Sequence, residues 1–258
     1  MALELACRMG MIEHMIRYEY WNSGATGIVI GLSGGVDSAV AAALCCRGVG
    51  PENVLGLFMP SSVSSREDER DVSGFCKKFG MSYRVVDIKP MLAGFRNMPE
   101  FKESQFLAGN LMARIRMTVL YYEANARNHL VCGTSNRSEY MLGYCTKFGD
   151  NAADIQPIVH LYKTEIFQIA KEMGIPEAII NKPPSAGLWE GQSDEGELGL
   201  SYAEIDSSLI SLERREWKSV SPVEEKVLAL VKKSAHKRLP APNLLAEPQE
   251  PCDNLPDY

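Results

Sequence analysis

The sequence has no apolar stretch long enough to cross a membrane. None of the apolar runs in the 258 residues approaches the ~20 residues that a transmembrane helix needs. The first twenty residues form an amphipathic pattern and lack the continuous apolar core of a signal peptide. Charges interrupt this pattern at Glu4, Arg8, Glu13, Arg17 and Glu19. We therefore expect a cytoplasmic protein with no membrane association.

Cysteine pairs at metal-binding spacing are also missing. The seven cysteines are an odd number, and no two of them form a CxxC motif. This pattern excludes a disulfide framework and gives no sign of a structural zinc site. We expect most of the thiols to be small buried hydrophobic groups in a reducing compartment.

Long basic runs are absent too. The net charge is −6, and residues 239–258 contain four acids with no Lys or Arg, which leaves −2 for the rest. A nearly neutral body offers little electrostatic attraction to nucleic acid, so we predict no nucleic-acid partner. The composition predicts a single domain over residues 1–238, followed by a Pro-rich acidic tail over 239–258.

A glycine-rich stretch at residues 31–38, the glycine loop, is the most informative feature present. It follows the apolar run 28–30 and precedes an alanine-rich segment that favours a helix. Gly34 and Gly35 lack a Cβ and allow a close approach of the backbone to a ligand. Ser33, Ser38 and the N–H groups of the helix start can donate to anionic oxygens. The loop therefore predicts a phosphate site, although such a turn can also occur without a ligand.

The lysine of the common motif GxxxxGK[ST] is missing from this loop, and Asp37 stands near its place. A carboxylate facing phosphates is repelled unless a divalent cation lies between them, which makes Asp37 a candidate magnesium ligand. The string from Ser33 to Ser38 resembles the pyrophosphate loop of the ATP pyrophosphatase superfamily. Those enzymes cleave ATP between its α and β phosphates and transfer AMP to a substrate oxygen.

Strand and helix patterns alternate along the chain. Apolar runs predict strands at residues 27–32, 54–59, 83–88 and 129–133. Helical spacing predicts helices at residues 3–20, up to 47, 66–79, 104–128, 163–173, 202–214 and 222–236. Residues 89–103 read as irregular, and the acidic segment 190–197 reads as too polar for the core and as a mobile lid. The alternation predicts an α/β fold, an open parallel sheet with helices on both faces.

Further motifs follow the glycine loop in one order and resemble the NAD synthetase family. They occupy residues 133–139, 142–150, 152–155, 161–164, 182–186, 192–195 and 236–238. The resemblance implies an adenine nucleotide alpha hydrolase-like, Rossmann-like fold. It also implies ATP-dependent amidation of deamido-NAD by ammonia through an acyl adenylate, giving NAD, AMP and pyrophosphate.

The same resemblance implies roles for individual residues. It makes Asp37 and Glu139 the Mg²⁺ ligands and, with Lys163, the catalytic group. It assigns ATP binding to Gly31, Leu32, Ser33, Gly34, Gly35, Val36, Asp37, Ser38, Thr134, Lys163 and Ser185. It assigns deamido-NAD binding to Arg114, Lys147, Asp154, His236 and Lys237.

Local sequence alone is also compatible with purely structural roles for several of these residues. Glu139 is also an acid favoured by the dipole in the first turn of a helix, and His236 is a dipole partner at a helix end. The alternative interpretation of Lys163 is a solvated surface lysine. That of Arg114 is a side chain that reaches solvent from a buried helix without binding a ligand.

The family further implies a homodimer. The chain leaves no room for the glutaminase domain that some members carry, so we expect free ammonia as the nitrogen donor, with a separate glutaminase partner as the alternative source. Two alternatives remain at this level. One is another pyrophosphate-loop enzyme, such as a GMP synthetase or a tRNA-thiolating enzyme, and the other is a non-catalytic nucleotide sensor on the same fold.

Overall fold

The centre of the molecule is a parallel sheet. In the computed structural model, which describes residues 2–189 and 191–242, the sheet has four strands. They are β1 (Gly27–Gly31), β2 (Val54–Phe58), β3 (Ser82–Val85) and β4 (His129–Cys132). Their order is β3-β2-β1-β4, and Ile28 of β1 is paired with Val54 on one side and Leu130 on the other. The glycine loop therefore leaves the sheet from a central, buried strand.

Helices connect the strands and continue beyond the last one. Before β4 they are α1 (Ala2–Asn22), α2 (Val36–Val49), α3 (Arg66–Phe79), α4 (Lys89–Phe95) and α5 (Gln105–Arg127). After β4 they are α6 (Arg137–Leu142), α7 (Lys163–Glu172), α8 (Glu177–Ile180), α9 (Asp194–Leu198), α10 (Tyr202–Arg214) and α11 (Pro222–Lys233). Within the described ranges, no helix is both long and apolar enough to span a bilayer.

Both faces of the sheet are covered, as the sequence predicts. Ile28 and Ile30 point into a core shared with α1, α2 and α7, whereas Val29 points to the opposite face, against α5. Side chains alternate along a strand, so a strand that is apolar at every position has to be packed on both sides. The α/β prediction is confirmed.

A third apolar cluster lies outside the sheet and is built from helices alone. Ile205 and Leu209 of α10 pack with Val227 and Val231 of α11 and with Leu142 at the end of α6. These positions recur at helical spacing, which is why both helices were recognisable from sequence. This cluster supports α6, the helix that follows β4.

Local signals set most of the helix ends. Ser65 and Asp68 form a capping box at the start of α3, and Gly80 ends that helix in the left-handed conformation. Ser104 caps α5, and Asn128 ends it with a φ of 56°. The predicted bounds of these helices match the structure because each capping residue bonds to backbone groups only three or four residues away in the sequence.

Other predicted bounds are wrong. Residues 89–95 form α4 and are not irregular, because Pro90 occupies the first turn, where a missing N–H costs nothing. β3 ends at Val85, although Val86 and Ile88 still donate to Phe58 and Pro60. α11 ends at Lys233, followed by a 3-10 turn, and most of the predicted tail (243–258) lies outside the described residues.

Gly143, which ends α6, provides a test of this packing. Its φ is +64°, and a Cβ there would lie 2.1 Å from the Cβ of Ser234. We expect Gly143→Ala to combine left-handed strain with overpacking and to lower the free energy of unfolding by about 2 to 5 kcal/mol. Urea denaturation measures this change.

Gly24 is the matched control, since its φ is +68° but no atom lies within 4 Å of a Cβ placed there. Gly24→Ala should cost only the backbone strain, about 1 to 2 kcal/mol. Equal losses for the two variants would show that the contact with Ser234 is unimportant.

Candidate active site

A cavity of about 750 Å³ opens at the carboxyl ends of the strands. The glycine loop after β1, the residues after β4 and residues 182–189, 191 and 192 contribute to its lining. In a parallel sheet these strand ends share one edge, which is where ligands bind in open α/β folds. The sheet topology therefore brings together the two motifs that the sequence places after β1 and β4.

The glycine loop is held by its own serines. Ser38 Oγ donates to the carbonyl of Gly35 at 3.0 Å, and Ser33 Oγ accepts from the Gly35 N–H at 3.1 Å. Gly34 has a φ of +82° and packs against the backbone of Asp68. No side chain in the described ranges caps the start of α2. Its first N–H groups therefore remain available for an anion, which the helix dipole favours.

Lys163 is the buried centre of the site. Its side chain is 3% exposed, and its Nζ donates to Asp37 Oδ2 at 2.6 Å and to Glu139 Oε1 at 3.1 Å. The ammonium also lies 4.9 Å from the centre of the Tyr202 ring. Asn136, the N-cap of α6, donates to Asp37 Oδ1 at 2.8 Å. Lys163 itself is therefore a cation that bridges the two carboxylates.

These charges change one another's pKa. Burial disfavours the charged ammonium, but attraction from Asp37 and Glu139 outweighs it and raises the pKa of Lys163. Burial raises the pKa of Glu139, and attraction to Lys163 lowers it. Repulsion from Asp37 and Asp194 raises it further, so that the pKa of Glu139 is about 7. Burial is thus the main reason that Glu139 binds a proton more readily than an ordinary glutamate.

Asp37 and Glu139 fit a magnesium ion in chemistry and direction. Both carboxylates face the Nζ of Lys163, so their oxygens converge on one region of the cavity. No group of three or more His, Cys, Asp or Glu side chains suited to a metal occurs in the part of the chain that the structure describes. Mg²⁺ is commonly held by one or two carboxylates together with waters and substrate phosphates, which matches this pair.

The residues predicted to bind ATP lie together. All of them line the cavity except Gly34. Those that line it are Gly31, Leu32, Ser33, Gly35, Val36, Asp37, Ser38, Thr134, Lys163 and Ser185. This placement is compatible with ATP binding and leaves the role of each residue a prediction.

The residues predicted to bind deamido-NAD divide into two groups. Lys237 lines the cavity, and its Nζ donates to the carbonyls of Gly143 and Cys145. Three others form a chain of contacts at the surface, in which Arg114 donates to the carbonyl of Lys147 and Lys147 Nζ donates to that of His236.

Asp154 has a structural contact of its own. Its Oδ2 accepts from the N–H of Val131 in β4 at 2.7 Å, and its Oδ1 accepts from Tyr121 at 3.3 Å. Within the described residues, the cavity lining includes neither Asp154 nor Arg114, Lys147 or His236. Their role in dinucleotide binding stays a prediction.

Asp194 contradicts the expectation that segment 190–197 is too polar for the core. Asp194 is only 3% exposed. Its carboxylate accepts from the N–H of Ala186 and the hydroxyl of Tyr202, and its own N–H donates to the carbonyl of Pro184. Asp194 therefore holds the turn on both sides of Ser185. Ser193, which caps α9, was the sequence signal for an ordered helix here. Movement of the segment as a lid stays a prediction.

Lys182 is a second residue that the site assignment missed. It lines the cavity beside the glycine loop and pairs with Asp68 and with Asp71, the latter at 3.6 Å. The burial of these groups depends on contacts between α3 and a distant loop, so local sequence carried little signal for it.

Glu139 gives the ligand-free protein a testable pH dependence. A pKa that rises on folding, from 4.5 to about 7, contributes stability below pH 4.5 that is lost as the pH rises through 7. We expect Glu139→Gln to remove this loss, on the order of 2 kcal/mol between pH 5 and pH 8. Denaturant unfolding in EDTA at several pH values measures it. If the free energy of unfolding changed with pH in the same way for the variant and the wild type, the raised pKa of Glu139 would be contradicted.

Comparison with known proteins identifies the family. A family model described as NAD synthase matches residues 9–241. The NH(3)-dependent NAD(+) synthetase of Methanoregula boonei is 65% identical over 248 residues, which cover 96% of this chain and 100% of that protein. The protein of the same name from Thermococcus kodakarensis is 44% identical, covering 92% and 96%.

Two solved structures have the same fold over nearly their whole length. The NMN synthetase of Francisella tularensis has a TM-score of 0.85 and 36% identity, covering 93% of this chain and 98% of that one. The NH3-dependent NAD synthetase of Campylobacter jejuni, solved with a nitrate ion, has a TM-score of 0.81 and 33% identity, covering 94% and 99%. The chain therefore belongs to the NAD synthase family.

Proposed function

We propose that this protein catalyses the amidation of deamido-NAD by ammonia with ATP, giving NAD, AMP and pyrophosphate. The buried Lys163, held between Asp37 and Glu139 beside the glycine loop, is the observation that carries the proposal. It places positive charge and two oxygen ligands next to free N–H groups at a helix start. The names of the full-length relatives support the product and the nitrogen donor.

The first step activates the nicotinate carboxylate, which is a poor acyl donor because oxide would have to leave. The carboxylate oxygen attacks the α-phosphorus of ATP, and the bond from that phosphorus to the bridging oxygen breaks, releasing pyrophosphate. The barrier is largely electrostatic, since anions have to meet. Lys163 and the N–H groups at the start of α2 stabilise the charge on the phosphate oxygens.

Magnesium, held by Asp37 and Glu139, would supply further charge neutralisation on the phosphates. Lys163 contacts both carboxylates in the structure, so the protein's own ammonium holds them in alignment. Asn136 fixes the second oxygen of Asp37. These contacts pre-organise the ligand pair before the substrates arrive.

In the second step, ammonia attacks the carbonyl carbon of the acyl adenylate, AMP leaves with the oxygen, and a proton is lost from nitrogen. No side-chain nucleophile takes part in this scheme. The turn around Ser185, held by Asp194, covers one side of the cavity and helps to exclude water from the reactive adenylate.

A second product, NMN, follows from the similarity to the Francisella tularensis protein. The chemistry would be the same, with nicotinate mononucleotide in place of deamido-NAD. The 65% identity to a protein named as an NAD synthetase favours the dinucleotide. Offering both substrates to the purified protein separates the two possibilities.

A homodimer and a cytoplasmic location complete the proposal. α5 exposes Phe106, Leu107 and Tyr122, each of them at least 49% accessible, which suits a second copy of the chain. Light scattering during gel filtration would measure the oligomeric state.

The activity assay contains protein, deamido-NAD, ATP, magnesium and ammonium, and quantifies NAD and AMP. We expect equal amounts of the two products, no NAD without the dinucleotide, and little NAD when glutamine replaces ammonium. AMP release that does not depend on the dinucleotide would contradict the proposal. Absence of any AMP would favour the sensor alternative.

Asp37→Asn tests the charge cluster directly. Loss of one carboxylate that faces Lys163 and would bind the metal should lower kcat by about 10²-fold or more. Glu123→Gln is the control, because Glu123 is another buried acid, paired with Arg84 and Arg127. It lies outside the cavity lining given by the described residues and should lower stability with near-normal kcat. Similar kcat values for Asp37→Asn and wild type would refute the assignment.

A further inference from the structure

Arg116 on α5 lines the active-site cavity and was given no role by the sequence motifs. Its Nε donates to the carbonyl of Met59, the residue that follows β2, at 3.2 Å. Arg114 lies two residues earlier and is exposed. Two positions on a helix differ by about 200°, so the two arginines leave opposite sides of α5. The arginine at the cavity is therefore Arg116.

The guanidinium of Arg116 has no carboxylate within ion-pair distance among residues 2–189 and 191–242. Asp150 is the acid that attracts it, but Asp150 Oδ1 accepts from the N–H of Thr146 at 2.8 Å. Burial lowers the pKa of Arg116, and the attraction from Asp150 offsets this only in part. Arg137 and Arg215, by contrast, each contact a glutamate directly.

A half-buried arginine without an ion pair is costly to the ligand-free protein. Arginine stays protonated, so the cost cannot be avoided by loss of the proton. Burying a charge without a partner destabilises the fold, whereas an anionic ligand would supply that partner when it binds. The carbonyl of Met59 takes only one of the five N–H groups that the side chain can donate.

The position of Arg116 complements that of Lys163. α5 packs on one face of the sheet and α7 on the other, so the two cations reach the cavity from opposite sides. Lys163 has two carboxylate partners within 3.1 Å, which offset its charge locally. Arg116 has no carboxylate partner among the described residues, so its positive charge is available to a substrate.

We propose that Arg116 is an anion-binding residue of this cavity that contacts an oxyanion group of one of the two nucleotide substrates. Its planar fork suits two oxygens of a phosphate or a carboxylate. This assignment deepens the proposed function and relies on it for the identity of the substrates. ATP and deamido-NAD both carry such groups, and separate titrations distinguish them.

The experiment compares wild type, Arg116→Met and Arg116→Lys by calorimetric titration with magnesium-ATP and, separately, with deamido-NAD. We expect the Kd for one of the two ligands to rise about 10- to 100-fold in Arg116→Met. Arg116→Lys should recover part of this loss because it keeps the charge but not the fork. The ligand whose Kd changes is the one that Arg116 contacts.

Thermal unfolding without ligand separates binding from a structural role. Removing an unpaired, half-buried charge should leave the Tm of Arg116→Met equal to or above that of wild type. Arg215→Met is the matched control, since it breaks a half-buried pair with Glu224 away from the cavity. It should lower the Tm and leave both Kd values unchanged.

Unchanged Kd values for both ligands in Arg116→Met would overturn the proposal, whatever the Tm. A lower Tm with unchanged Kd values would show that Arg116 stabilises the fold through its attraction to Asp150 and does not bind a substrate. The binding assay needs no turnover. If the wild type binds ATP through Arg116 but makes no NAD, the proposed function fails and this assignment stands.

Discussion

The ion pairs of the buried Lys163 ammonium with Asp37 and Glu139 are the interaction on which the site depends. They join the start of α2, α6 and α7, three segments that meet only in the folded chain. The backbone of α7 is held in the same place, since the N–H of Lys163 donates to Ser138 and Ser138 donates to Asp206 of α10. Removing one buried charge would leave its partners unpaired, which costs several kcal/mol.

The charge balance of the cavity follows from the sheet. Parallel strands bring the ends of β1 and β4 to one edge, together with the start of α2, which favours anions. Lys163 offsets the charge of one of its two carboxylate neighbours, whereas Arg116 has no carboxylate partner among the described residues. The site thus combines two carboxylates aligned by one ammonium with an arginine that lines the same cavity. The metal-binding and anion-binding roles proposed for these groups suit a reaction between anions.

Much of the fold was predictable because its signals are local. Ser65, Ser104 and Gly80 fix helix ends within a few residues, and the apolar run before Gly31 indicates a buried strand. The errors arose where local signals compete. Pro90 suggested a loop but starts a helix, and the acidic composition around Asp194 suggested solvent although that carboxylate is buried.

By itself, the sequence determined the alternation of strands and helices, the glycine loop and the family, because each of these is a pattern of neighbouring residues. Tertiary structure decided which charges meet. Lys163 and Asp37 are 126 residues apart, and only the sheet topology places them 2.6 Å from each other. Which of Arg114 and Arg116 lines the cavity also depends on how α5 packs against the sheet. Burial and pairing are properties of the folded chain, and they set the free energy of each charge.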